Sequence, residues 1–337
     1  MTRTSPIQSV QYSAGFSLVE LLVSIAIGLV IIMAAMSAYQ GAASSSKMVE
    51  AQSRMNDDAQ AALSILTEQL RMSGNNPAQP NRADLSRRNP VYGTTPFTTT
   101  PATFTLSAFS IRGCDGKFSD ILTATSLDTL TACGTSTSPD SIAINFEADR
   151  YNTNATASGP ADCVGSGLPT ITATFPVTTP TTAVSATYSV ADNRFYIGNA
   201  TVAIPSFTGT SSNTVVPSLY CKGSASANGQ PLVENVEDMQ FLYGTVVTNA
   251  TTTATATKAS VAGYLRANEV VAQADWGKVI AVRICVLVRS ENPVVSDAAS
   301  ARYDDCQGNL NVSAPDLRLR RAYTTTVSLR NRQLWLP

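Results

Sequence analysis

The chain has 337 residues, a net charge of −1, and 14% charged against 44% hydrophobic side chains, enough for one large or two ordinary domains. So neutral a balance excludes a generic nucleic-acid binder, which needs a large basic excess to displace counterions. Histidine is absent altogether, which removes the commonest general base and the commonest zinc ligand and argues against an enzyme.

In chain order, Met1 to Gly15 is polar with one basic residue, Arg3, and Leu21 to Ser46 then carries no charge. About 20 apolar residues suffice to cross the hydrocarbon core of a bilayer. A secretory signal peptide has a shorter apolar core before a small-residue cleavage site. Small residues do follow here (Ala34, Ala35, Ser37, Ala38), but the run is too long and passes without a turn into a second helical pattern. At the head of the run stands a carboxylate, Glu20, a group that costs several kcal/mol in lipid unless it finds a partner. Gly28 lies mid-helix and reads equally as a close-packing point or as an ordinary glycine of a membrane helix.

From about Ser44 to Ser73, Met48, Met55, Ala59, Leu63, Leu66 and Leu70 form one helical stripe, with Glu50, Arg54, Asp57, Asp58 and Glu68 on the other faces. Gly74 offers a C-terminal cap and Pro77 prevents resumption. Phe16 to Ser73 is thus expected to be one helix of about 58 residues, roughly 87 Å long, its first half in lipid and its second half packed on a soluble domain.

Beyond Asn75 the composition turns to Thr, Ser, Ala, Asn, Gly and Pro with short β-prone runs. Strands are predicted at Ala102–Ile111, Ser141–Ala148, Thr170–Val177, Ala183–Val190, Phe195–Ile204, Val215–Cys221, Met239–Val246, Val279–Arg289 and Ala322–Arg330. A hairpin turn is expected at Asp192–Asn193. Leu232, Val233, Val236 and Met239 share a helical face, so a short apolar helix is expected to enter the next strand. Ile280, Val282, Ile284, Val286 and Val288 alternate as in a buried strand. "NATTTATATKAS" reads as a low-complexity loop. No linker divides the region, so one elaborated domain is expected.

Six cysteines, Cys114, Cys133, Cys163, Cys221, Cys285 and Cys306, include no CxxC, which leaves neither a zinc ribbon nor a redox motif. In a chain that leaves the cytoplasm they read as disulfides, with Cys114–Cys133 and Cys285–Cys306 preferred as sequence neighbours. Arg318, Arg320, Arg321, Arg330 and Arg332 form the one basic concentration; we read it as a solvated strand pair balanced by Asp297, Asp304, Asp305 and Asp316 rather than as a DNA or acidic-partner surface. No GxSxG, Walker, GxGxxG or HExxH motif is present. Ser44-Ser-Ser-Lys47 has SxxK spacing without partner motifs, and Asp304-Asp305 offers too few ligands for calcium. No catalytic residue, cofactor or metal site is expected.

The stretch "GFSLVELLVSIAIGLVI" resembles the type IV prepilin motif: a glycine, an aromatic residue, and a glutamate fifth in the mature chain. Ala14 departs from the basic residue that often precedes the glycine. Toward the other end, "LVENVEDMQFLYG", "WGKVIAVRICVLVRS" and "DLRLRRAYTTTVSLRNR" resemble the minor pilin family PilW. The prepilin resemblance implies cleavage after Gly15 by a prepilin peptidase, N-methylation of Phe16 and an assembly role for Glu20. A cationic amino group at one subunit's Phe16 and an anionic Glu20 of its neighbour would offset each other's cost in lipid and set axial register.

The expected fold is α+β, a pilin-like long N-terminal helix on a β-rich domain of antiparallel sheets. Its expected parts are a leader at 1–15, a membrane and filament-core helix at 16–39, an amphipathic continuation at 40–74, and a periplasmic domain at 75–337. The resemblance implies a minor pilin that primes type IV pilus assembly at or near the tip. Its implied partners are other minor pilins, the major pilin, the prepilin peptidase, the inner membrane and, where one is present, a tip adhesin, with the neutral charge arguing against nucleic acid. The competing expectations are a J-type minor pseudopilin of type II secretion, a membrane-anchored periplasmic enzyme and a DNA-uptake component.

Overall fold

A computed structural model of the chain describes residues 15, 17–75, 98–100, 110–124, 126–130, 132–134, 139–154, 156–157, 159–175, 184–204, 212–246, 261–272 and 276–332. The chain divides into two compact units, Met1–Glu50 and Ala51–Pro337. Helix α1 is Leu18–Met72, 55 residues. Its apolar part contains a window of mean hydropathy 2.7, none of it buried, long and apolar enough to cross a membrane.

Within the second unit, α1 buries Met55, Ala59, Ala62, Leu66 and Leu70, a 4-3-4-4 spacing that puts all five on one face. The expected stripe is corrected at two places. Ala62 is fully buried where Leu63 is only partly so, and Met48 is 36% exposed. Gly74 adopts φ 73°, the left-handed conformation that ends helices and that only glycine takes freely. Pro77 and the segment 249–260 lie outside the described residues.

The strands are β1 Thr98–Thr100, β2 Ile111–Cys114, β3 Ser141–Ala148, β4 Thr170–Phe175, β5 Val184–Ile204, β6 Ser212–Lys222, β7 Gln230–Glu234, β8 Val236–Val246 and β9 Val261–Leu265. After the short helix α2 (Ala267–Ala272) come β10 Val279–Arg289, β11 Arg302–Tyr303, β12 Val312–Ser313 and β13 Arg320–Ser328. All pairings are antiparallel. One sheet runs β1-β4-β5-β3-β2, with β6 on β5 and β7 on β6; a second runs β13-β10-β8-β9; β11 and β12 form a small ribbon. Ile142, Ile144, Phe146, Phe195 and Leu219 of the first sheet share one core with Phe241, Tyr243, Val282, Ile284 and Val286 of the second and with the α1 stripe. The α+β expectation holds.

Two local expectations fail for physical reasons. Asp192 and Asn193 do not turn; they lie inside β5, a single 21-residue strand. Asp192 instead takes a two-pronged ion pair from Arg194 (Nε to Oδ1 3.0 Å, Nη2 to Oδ2 2.9 Å), and the Asn193 amide donates to Gln69 of α1 at 2.8 Å. Residues that favour turns in water here neutralise a buried cation and pin the helix.

The expected helix over Leu232–Met239 is two strands joined at Asn235, which has φ 62°, tolerable for Asn. β7 belongs to the first sheet and β8 to the second, so the chain changes sheets at this single residue. Val233, Val236 and Met239 are buried as the helical pattern requires, but on successive strands. Residues 102–109 of the strand expected at Ala102–Ile111 lie outside the described residues; β2 begins at Ile111.

The two sheets are also tied by one carboxylate. Asp140, 3% exposed, accepts the Gly116 N–H beyond β2 at 3.0 Å and the Phe241 N–H of β8 at 2.9 Å. Burial, only partly opposed by these two hydrogen bonds, pushes its pKa up to about 7. A folded pKa above the usual carboxylate value means that the protonated form favours the fold. Stability from this group is therefore complete below about pH 4 and is lost as pH rises through about 7. Urea unfolding should show a loss on the order of 2 kcal/mol between pH 5 and 8, and Asp140→Asn should flatten that slope.

Candidate assembly site

The first unit offers one local constellation, at the head of α1. Ser17 is the residue before the helix and Glu20 the third within it, an S-x-x-E spacing. The Glu20 N–H donates to Ser17 Oγ at 3.2 Å, and the Ser17 N–H donates to Glu20 Oε2 at 3.2 Å. This reciprocal pair is a capping box: it satisfies two of the N–H groups that the first turn leaves without helical partners. The Glu20 carboxylate also sits at the positive end of the helix dipole. One turn on, Ser24 Oγ donates to the Glu20 carbonyl at 2.6 Å.

Glu20 thus has a partner within its own chain, which the sequence reading missed although "SLVE" carries the signal. Gly15 is exposed, and no group stands within 4 Å of where a side chain would project from it. Phe16 lies outside the described residues.

The six cysteines form three disulfides, Cys114–Cys133, Cys163–Cys221 and Cys285–Cys306. Two join sequence neighbours. The third, the pair that these two leave over, ties the loop after β3 to the end of β6.

The basic concentration is solvated only in part: Arg321 and Arg330 are exposed, but Arg320 is not. The Arg320 side chain is 1% exposed. Its guanidinium grips Glu237 through two bonds (Nε to Oε2 2.6 Å, Nη2 to Oε1 3.0 Å) and Asp316 through Nη1 at 2.6 Å. Burial pushes the Asp316 carboxyl up, but hydrogen bonds from Arg320 and Arg318 outweigh it and hold the group well below the usual carboxylate range. Of the acids expected to balance the arginines, Asp316 does so. Asp297 instead accepts from Ser300, and Asp304 and Asp305 accept from Asn311, Gln307 and Asn309 in their own loop. Glu237, which carries the strongest contact, lay unsuspected in another part of the sequence.

The "LRNR" ending has a structural task. Leu329 is fully buried, and the Asn331 amide donates to the carbonyls of Arg71 (3.0 Å) and Ser73 (3.4 Å) at the end of α1. Gly74 N–H donates to the Asn145 carbonyl of β3 at 3.0 Å. Among the described residues no group of three potential metal ligands stands together.

A long N-terminal helix with an exposed apolar first part, a capped Glu20 at its head, and a β-rich domain that grips the helix end are the features of a pilin. Two family models agree. Residues 11–36 match the prokaryotic N-terminal methylation motif, and residues 194–331 match Type IV Pilus-assembly protein W. Over that second stretch the chain is similar to the PilW family, and together with the methylation motif the match supports a pilin associated with the type IV pilus. The match begins at Arg194, well before the segments that carried the resemblance. No curated protein and no solved structure matches the chain.

Ser17→Ala removes the cap, a loss of about 1 kcal/mol. Amide exchange in micelles should therefore quicken roughly fivefold over the first turn, while Ser17→Thr stays near wild type. Non-reducing peptide mapping should return the three disulfides above, and removal of Cys163–Cys221 should cost about 2 to 5 kcal/mol in urea unfolding.

Proposed function

We propose that the chain is a minor pilin that helps prime type IV pilus assembly and enters the filament at or near its tip, beside other minor pilins, the major pilin and, where one is present, an adhesin. The observation that carries this reading is the pairing of a methylation motif at one end with a PilW-family match at the other. In this reading the chain starts in the inner membrane with Phe16–Tyr39 in lipid and the domain after Asn75 in the periplasm. The prepilin peptidase cuts after Gly15 and methylates Phe16.

Glu20 then has two successive partners. In the lone subunit the first turn of α1 holds its carboxylate. In the filament a neighbour's Phe16 amino group competes for it, and the ion pair offsets the cost of both charges in an apolar core. The capping box supports this order by keeping the carboxylate at the helix head. A structural role, without catalysis, follows from the pilin class.

Mass spectrometry of purified pili tests the reading. A mature chain that starts at methylated Phe16 is expected, with incorporation of Glu20→Ala reduced at least tenfold. Pili whose copies all retain residues 1–15, or a deletion strain that loses type II secretion and keeps its pili, would overturn it.

A further inference from the structure

The two central strands of the first sheet run on beyond their neighbours. β5 pairs with β3 only as far as Phe195, and β6 pairs with β7 only from Ser218 onward. The β5–β6 register nevertheless continues unbroken from Arg194↔Lys222 to Ile204↔Ser212. Among the described residues, Asn199–Ile204 and Ser212–Pro217 therefore form a two-stranded ribbon with a free edge on each side. Such a ribbon is marginal on its own, and an open edge is a template for another strand.

Proteins usually blunt such edges with charge, proline, bulges or very short strands, and here the only such device is Pro217 at the base of the β6 segment. This ribbon has no bulge. No charged residue occurs from Phe195 to Cys221. The register places Asn199, Thr201, Ala203, Asn213 and Val215 on one face, and all five are exposed, Val215 at 57%. Small, β-branched and amide side chains here suit a pleated contact and offer nothing to an acidic or basic partner, a phosphate backbone or a lipid headgroup. What remains for recognition is the backbone: among the described residues no strand pairs with either outer edge of the ribbon, although the Asn199 and Val216 carbonyls accept the hydroxyls of Tyr220 and Ser218.

We infer that the Asn199–Ile204/Ser212–Pro217 ribbon receives an uncharged extended strand from a neighbouring pilus component, which adds to the first sheet by main-chain hydrogen bonding. The inference rests on the minor-pilin reading. A subunit present in few copies at a tip has other components as neighbours, so the added strand comes from one of them and not from a second copy. The ribbon also lies inside the stretch that matches the PilW family, 194–331.

The test uses the full-length chain expressed in a strain deleted for it. Thr201→Lys with Asn213→Glu sets opposite charges on a diagonal of the ribbon, which leaves the hairpin paired while its edges become hydrated. Surface pili should fall at least tenfold with this variant, whose disulfides and processing stay intact, and should be unchanged with Ser313→Lys on the distant β11–β12 ribbon.

All six native cysteines are paired, so Thr201→Cys supplies the one free thiol. A maleimide–benzophenone reagent attached to it should, on irradiation, join it to a different pilus component, since the photoreactive end inserts into C–H bonds and needs no thiol in the partner. Full piliation by the charged variant overturns the inference, as does a Thr201→Cys thiol that joins nothing or only a second copy of the chain. If the deletion strain itself makes normal pili, the minor-pilin reading fails instead, which separates the two results.

Discussion

The fold depends on one seam: the face of α1 made by Met55, Ala59, Ala62, Leu66 and Leu70, set into a core to which both sheets contribute. Two of the five are alanines, which lets strands approach the helix closely, and the larger three fill the space between. Hydrophobic burial is not directional, so the seam alone would leave the helix free to slide. Hydrogen bonds supply the register: Gly74 to Asn145, Gln69 with Asn193, Tyr323 to Asn56, and Asn331 to the last carbonyls. Each sheet contributes to this fastening, so the end of α1 holds together parts of the chain that are far apart in sequence.

That seam was legible in the sequence because helical periodicity is strong over long stretches. β3 and β10 were legible to the residue, since each is a β-prone run bounded by turn-forming residues. What escaped were the positions where tertiary context overrides local chemistry. Asp192 and Asn193 have turn propensity, but a buried Arg194 and a helix amide make better partners inside a strand. Asn235 sits where apolar spacing fits a helix, yet the two sides of it belong to different sheets, and no local pattern encodes that. Arg320 looked solvated because its partner Glu237 lies 83 residues away. At the head of α1 the reverse holds: Ser17 and Glu20 are three residues apart, and the S-x-x-E spacing alone carries the capping signal.

The two findings at the helix head bear on each other. A carboxylate in lipid needs compensation at every stage, not only in the finished filament. In the proposed route the capping box and the helix dipole would lower that cost before assembly, so that the segment could wait in a bilayer without a neighbour. The same contacts hold the carboxylate beside the residue after Phe16, close to where a neighbour's amino group has to arrive in the proposed filament. In the proposed filament, local helix chemistry and subunit joining would therefore draw on one side chain.

The change of sheet at Asn235 has a mechanical consequence. Cys114–Cys133 and Cys163–Cys221 brace the first sheet, and Cys285–Cys306 braces the second. No disulfide crosses between them. Under tension each sheet resists as a covalently stitched plate, whereas the plane between them is held by packing, by Asp140 and by one tether residue. A subunit loaded along its length would shear at that plane first, and the tether would keep the two plates joined while it yields.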